Sequence, residues 1–138
     1  LTGVYLQAGS DLSLLEEAVQ FIRTATDEQF IIHGSVFIPS KRFLAQMKFR
    51  PWNGVFLSGE YYSSVENAER ITQQVLGIYR EYGVVPLMEC NINTCKDLQH
   101  AHDFLWQGVS HDLHAISDET QGSPKRMRHG RVSSDICT

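Results

Sequence analysis

The stretch Phe30 to Ile38, FIIHGSVFI, constrains the fold more than any other part of the chain. Its apolar residues fall at both odd and even positions, interrupted only by His33-Gly34-Ser35. A strand that is apolar on both sides belongs inside a parallel sheet rather than on a surface half in water. Pro39 ends the run, and Ser40 is placed to cap a short helix carrying Phe43, Leu44 and Met47. Pro51-Trp52-Asn53-Gly54 reads as a turn, and Gly54 to Ser58 as a second short apolar run. Strand, short helix and turn in this order make an α/β protein. In such folds the loops leaving the carboxyl ends of the strands carry the chemistry.

The flanking segments repeat the alternation. Gly3 to Gln7 reads as a strand ending at the Gly9-Ser10 turn. Ser13 and Glu16 have capping-box spacing ahead of a helix whose apolar face is Leu14, Leu15, Ala18, Val19 and Ile22. Ser63 and Glu66 repeat that spacing before Val65, Ala68, Ile71, Val75, Ile78, Tyr79 and Tyr82, a long helix that Gly83 is placed to end in the left-handed conformation. Val84 to Glu89 is the next strand, marked as an edge or an irregular pairing by Pro86. Thr94 can cap a last helix with Leu98, Ala101 and Leu105 inward, ending near Gly108. The long helical crossovers imply parallel strands. So few strands cannot close a barrel, so either the sheet stays open or further strands lie outside this chain.

A length of 138 residues suits one domain or a piece of a larger one, and 42% hydrophobic residues suffice for a core. The net charge of −4 argues against a nucleic-acid partner, although Lys125, Arg126, Arg128 and Arg131 make the end of the chain basic. No apolar run is long enough to span a membrane. The start at Leu1 is neither a signal peptide nor an initiating Met and reads as a processed, trimmed or excerpted chain. Cys90, Cys95 and Cys137 are too few for a disulfide scaffold, so a reducing, cytoplasmic setting is expected.

Candidate functional residues are the polar groups just past strand ends: Gln7, His33 with Ser35, Ser40 with Lys41, and Glu89 with Asn91 and Asn93. The Gln7 amide offers a donor and an acceptor to a heterocycle; its plainer reading is a bond to the neighbouring loop backbone. His33 could act as an acid or base, but its place inside an apolar run favours a buried, hydrogen-bonded core histidine. Gly34 fits a close approach of backbone or ligand, or a bulge. Glu89 reads equally as a general base or as a loop partner. Cys90, Cys95, His100 and His102 match no usual zinc spacing, and on a helix the two histidines point to nearly opposite sides. His111 and His114 could share a helical face but lie where the periodicity fades. No metal site is expected.

Four motifs in order resemble the C-terminal part of the methylenetetrahydrofolate reductase family, flavin enzymes built on a (β/α)8 barrel. Val4-Tyr5-Leu6-Gln7-Ala8-Gly9-Ser10-Asp11 resembles the family's strand ending in Thr-Gln-x-x-x-Asp. Ile31-Ile32-His33-Gly34-Ser35-Val36 resembles its Ile-x-Pro-Gly-Ile strand, with His33 in place of proline. Phe49-Arg50-Pro51-Trp52, leading into Gly54-Val55, is similar to the segment before the family's long helix. Gly83 with Val84 to Glu89 resembles the approach to its last barrel strand. The family ends that strand His-Phe-Tyr-x-x-Asn, where this chain has Met88-Glu89-Cys90-Asn91-Ile92-Asn93.

The resemblance implies that residues 1–109 are the C-terminal portion of a TIM-type barrel; residues 110–138, where the periodicity fades and little can be buried, read from composition as a polar, partly basic, disordered tail. It implies a hydride transfer between a nicotinamide dinucleotide and a folate, with Gln7 as a substrate-binding residue and FAD as cofactor. The strands that hold most of the flavin in the family have no counterpart here, so another chain or the preceding barrel part is the implied partner. The contrasting reading is a truncated or divergent α/β module, without catalysis, that binds a partner subunit through an open sheet edge.

Overall fold

A computed structural model describes residues 2–107, so the tail expected over 110–138 lies outside the described residues. The elements are β1 (Gly3–Leu6), α1 (Leu12–Ala25), β2 (Ile31–Phe37), α2 (Lys41–Phe49), α3 (Gly59–Ser63), α4 (Val65–Glu81), β3 (Val85–Glu89) and α5 (Cys95–Trp106). The three strands form one parallel sheet in the order β1-β2-β3, with Tyr5 beside His33 and His33 beside Val85. The protein is therefore α/β with a parallel sheet, and β2 is its central strand. The chain divides into two compact units, one running to Asn91 and the other beginning at Ile92.

Local chemistry sets the helix boundaries. Ser40 accepts from the Phe43 N–H, as its position suggests, and Gly83 takes φ +64° just past α4. Two caps differ from expectation. Asp11 rather than Ser13 caps α1, accepting from the Leu14 N–H, and its charge favours that helix end. Ser64 rather than Ser63 caps α4, because residues 59–63 form a helical turn of their own, begun by Ser58. The run from Gly54 to Ser58 is not a strand. Phe56 makes a single parallel bridge with Gly9, and the Ser10 hydroxyl then takes the Ser58 N–H at 2.6 Å, turning the chain into α3.

Strand alternation puts Ile32, Gly34 and Val36 of β2 on one face of the sheet and Ile31, His33, Ser35 and Phe37 on the other. The Gly34 face is the covered one. A Cβ at Gly34 would collide with the ring of Tyr79, whose hydroxyl donates to the Ser35 carbonyl at 3.1 Å. The close approach anticipated at Gly34 is thus made by a tyrosine of α4. Burial pushes that phenol up to about 12. Val19 of α1 and Ala68, Ile71, Val75 and Leu76 of α4 are buried as well. Full burial of a large apolar side chain contributes about 1.5–3 kcal/mol. Helices α1 and α4 touch each other, and the Tyr82 hydroxyl donates to Glu16 at 3.3 Å, so both crossovers lie on one side.

The opposite face is apolar but open. Tyr5, Ile31, Val85 and Leu87 stay 41–49% exposed on it. Only at its carboxyl end is it closed, where Phe37 packs with Ala8, Met47 and Val55 and its ring meets those of Phe43 and Trp52. Strands β1 and β3 are the sheet edges, as Pro86 suggested for the latter. On α1, Leu14 and Phe21 remain exposed at 62% and 72%, seven residues apart and so on one helical stripe.

In the second unit, Thr94 and Asp97 form a reciprocal capping box at the start of α5. The buried residues of that helix are Ala101 and Phe104, while Leu98, expected inward, is 56% exposed. The apolar stripe is rotated toward the larger aromatic ring.

Arg23 ties the amino ends of the strands to the helices. Its guanidinium donates to the carbonyls of Phe30, Tyr82 and Gly83, each at 2.8 Å. Replacing Arg23 with Met keeps the aliphatic stem and removes all three bonds. The expected loss is on the order of 2–3 kcal/mol, read as a lower urea midpoint. Gly34→Ala should cost about 1–3 kcal/mol through overpacking against Tyr79, by the same measurement.

Candidate functional site

The carboxyl end of the sheet gathers polar groups from all three strands. Parity places Tyr5, His33, Ser35, Leu87 and Glu89 on the open face, because Tyr5 pairs with His33, Ser35 with Leu87 and Phe37 with Glu89. From this row the Tyr5 side chain leans along its strand and across β2. Its hydroxyl donates to Glu89 Oε1 at 2.5 Å, linking residues 84 apart in sequence. Beneath it Ser35 is fully buried and its hydroxyl accepts the Ala8 N–H at 3.0 Å. Partial burial raises the Tyr5 phenol above its ordinary range; the bond to Glu89 and its charge add to this, while the Ser35 hydroxyl opposes it. Tyr5 is therefore a neutral donor near pH 7, and Glu89 its acceptor.

His33 lies between Tyr5 and Val85 in this face, half-buried. Its Nδ1 atom is buried and has no hydrogen-bond partner among the described residues, unlike the hydrogen-bonded core histidine expected from the run around it. An orphaned buried ring nitrogen costs stability unless something else completes it.

Gln7 follows β1 and is exposed, its Cγ about 4.0 Å from where a side chain on Gly54 would begin. Gly54 has φ +82°, closing the turn from Trp52 to Val55. That turn and the Gly9–Phe56 bridge bring the segment from Trp52 to Phe56 alongside the β1 carboxyl end, with Trp52 41% and Phe56 80% exposed. The Gln7 side chain has no hydrogen bond to the described residues.

The other strand-end residues named from sequence are used locally or stand apart. Ser40 is a helix cap, and Lys41 is exposed on α2. Asn93 belongs to the second unit, where its backbone N–H donates to Asp97. In α5, His100 meets the Phe104 ring and His102 meets Asp103 and Trp106. Among the described residues no group of three His, Cys, Asp or Glu side chains is arranged to hold a metal. His111 and His114 lie outside the described residues. Sequence reasoning named Glu89 and Ser35 but passed over Tyr5. The signal was there in its parity: Tyr5 shares a strand face with Gln7 two residues later.

A pH prediction follows from the Tyr5–Glu89 bond. Glu89 holds the Tyr5 phenol upward, so Glu89→Gln, which removes the charge, should move its titration to lower pH. Carbon-13 resonances of ring-labelled tyrosine across the alkaline range check this; an unchanged or higher titration point would count against the bond.

No protein-family model, no curated protein and no solved structure matches this chain.

Proposed function

We propose that this chain is the C-terminal portion of a (β/α)8 barrel and serves a flavin-dependent oxidoreductase of the methylenetetrahydrofolate reductase type. The reaction is hydride transfer between a nicotinamide dinucleotide and a folate. One observation carries the architecture: three sequential parallel strands with both crossover helices on one face and an apolar opposite face left open. A doubly wound sheet reverses its strand order and carries helices on both faces. Barrel winding keeps the order sequential, with every helix outside and the inner face filled by side chains of further strands. Tyr5, Ile31, Val85 and Leu87 then belong to the barrel interior. The free β1 edge and the Leu14–Phe21 stripe of α1 fit a preceding β/α unit.

The motifs around Gln7 and Gly34 supply the choice of family. Gln7 is at a strand end with a carboxamide that no described residue engages, able to donate to a ring carbonyl and accept from a ring N–H, which selects one orientation of a pterin. Flavin dinucleotide does not fit the described residues taken alone. The starts of α1, α2 and α4, where a pyrophosphate would bind, are closed by Asp11, Ser40 and Ser64, and Asp11 repels an anion. The flavin belongs with barrel strands supplied from elsewhere.

The second reading, a non-catalytic module that binds a partner subunit through an open sheet edge, draws on the same bare β1 edge. It needs no ligand at the strand ends. Visible flavin absorbance in the protein purified together with whatever covers that edge separates the two, since the module reading expects none. In flavin-loaded protein, Gln7→Ala should weaken folate binding by about 1–3 kcal/mol and leave flavin content unchanged. Folate titration checks this, and equal affinity in the two proteins would remove Gln7 from the site.

A further inference from the structure

Hydrogen bonds at the carboxyl end of the sheet engage groups from β1, β2 and β3. The Ala8 N–H donates to the Ser35 oxygen, and the Tyr5 hydroxyl donates to Glu89 Oε1. The Tyr5 donor is thus spent on a carboxylate. Glu89 accepts at Oε1 and has nothing to donate, so Oε2 remains an acceptor. Among the described residues no lysine or arginine forms an ion pair with it. Around it the face is apolar and open, with Leu87 41% and Tyr5 46% exposed, and includes the unpartnered His33 Nδ1. An acceptor-only end on an apolar floor selects for a flat ligand whose leading edge consists of N–H donors.

We propose that Tyr5 and Glu89 form a subsite for a planar N–C–N donor edge, an amino group beside a ring N–H, as in the aminopyrimidinone ring of a pterin. Glu89 takes the two donors, and Tyr5 holds the carboxylate in the plane that receives them. Tyr5 is a positioning residue and Glu89 the contact. The identity of the ring system rests on the function proposed above; the donor-edge chemistry does not.

Fluorescence titration with pterin and with lumazine, in which a carbonyl replaces the amino donor, tests the subsite. The protein should hold pterin about tenfold more tightly than lumazine, the worth of one good hydrogen bond. Glu89→Gln keeps the shape and can still accept from Tyr5 through its oxygen, but it turns an N–H toward the ligand and should erase or reverse that preference. Tyr5→Phe should weaken pterin binding while keeping the preference, because the carboxylate remains. Urea midpoints establish that each variant is folded. Equal affinity for the two ligands, or a preference that survives Glu89→Gln, overturns the subsite, as does failure to bind either pteridine or benzamidine. Benzamidine carries the same donor edge without the pteridine ring. Benzamidine binding that depends on Glu89, with no pterin binding, supports the subsite and overturns the folate reading. Pterin binding that needs Gln7 but is indifferent to Glu89→Gln does the reverse.

Discussion

Tyr79 packed where Gly34 has no side chain is the contact on which the sheet depends. It lets α4 approach β2 closely, and the phenol donates a hydrogen bond to the Ser35 carbonyl inside the core. Ser35 is thereby held from the covered side by its carbonyl, while its hydroxyl, on the other side, takes the Ala8 N–H. One buried residue of the central strand therefore joins core packing to the polar cluster at the strand ends. A buried polar network of this kind is stable only when its members are satisfied. Those around Ser35 are, and the exception is the neighbouring His33 Nδ1.

The two faces of the sheet stand in different energetic positions. On the Gly34 side, α1 and α4 remove large side chains from water. On the other, four apolar residues remain about half in solvent, as do Leu14 and Phe21 on the flank of α1. Scattered exposed apolar residues are ordinary, but here they coincide with a bare strand edge and an uncovered face. Burying them would add stabilisation that the described residues do not collect.

The candidate site follows from the same geometry. Parallel strands bring their carboxyl ends to one side, so residues remote in sequence meet there without any local motif. Tyr5 and Glu89 are joined over 84 residues, and the segment around Gly54 comes alongside Gln7 through the Gly9–Phe56 bridge. The rigid sheet supplies the alignment, and the Tyr5 hydroxyl supplies directionality by donating to Glu89.

By itself the sequence determined what depends on neighbours a few residues away. The apolar run of β2, the helical face of Ala68, Ile71, Val75 and Tyr79, the Ser40 and Thr94 caps and the left-handed Gly83 were all legible, because each is set by backbone chemistry within about one turn. Where two local solutions competed, tertiary context chose: Asp11 over Ser13, Ser64 over Ser63, and a bridge in place of a strand at Phe56. Strand alternation told that β2 has two apolar faces, but not that only one would be covered. That required the position of Tyr79 over Gly34. The pairing of Tyr5 with Glu89 was likewise beyond local reading, since alternation assigns a face within a strand and only register across β2 decides which residues of β1 and β3 come within a hydrogen bond.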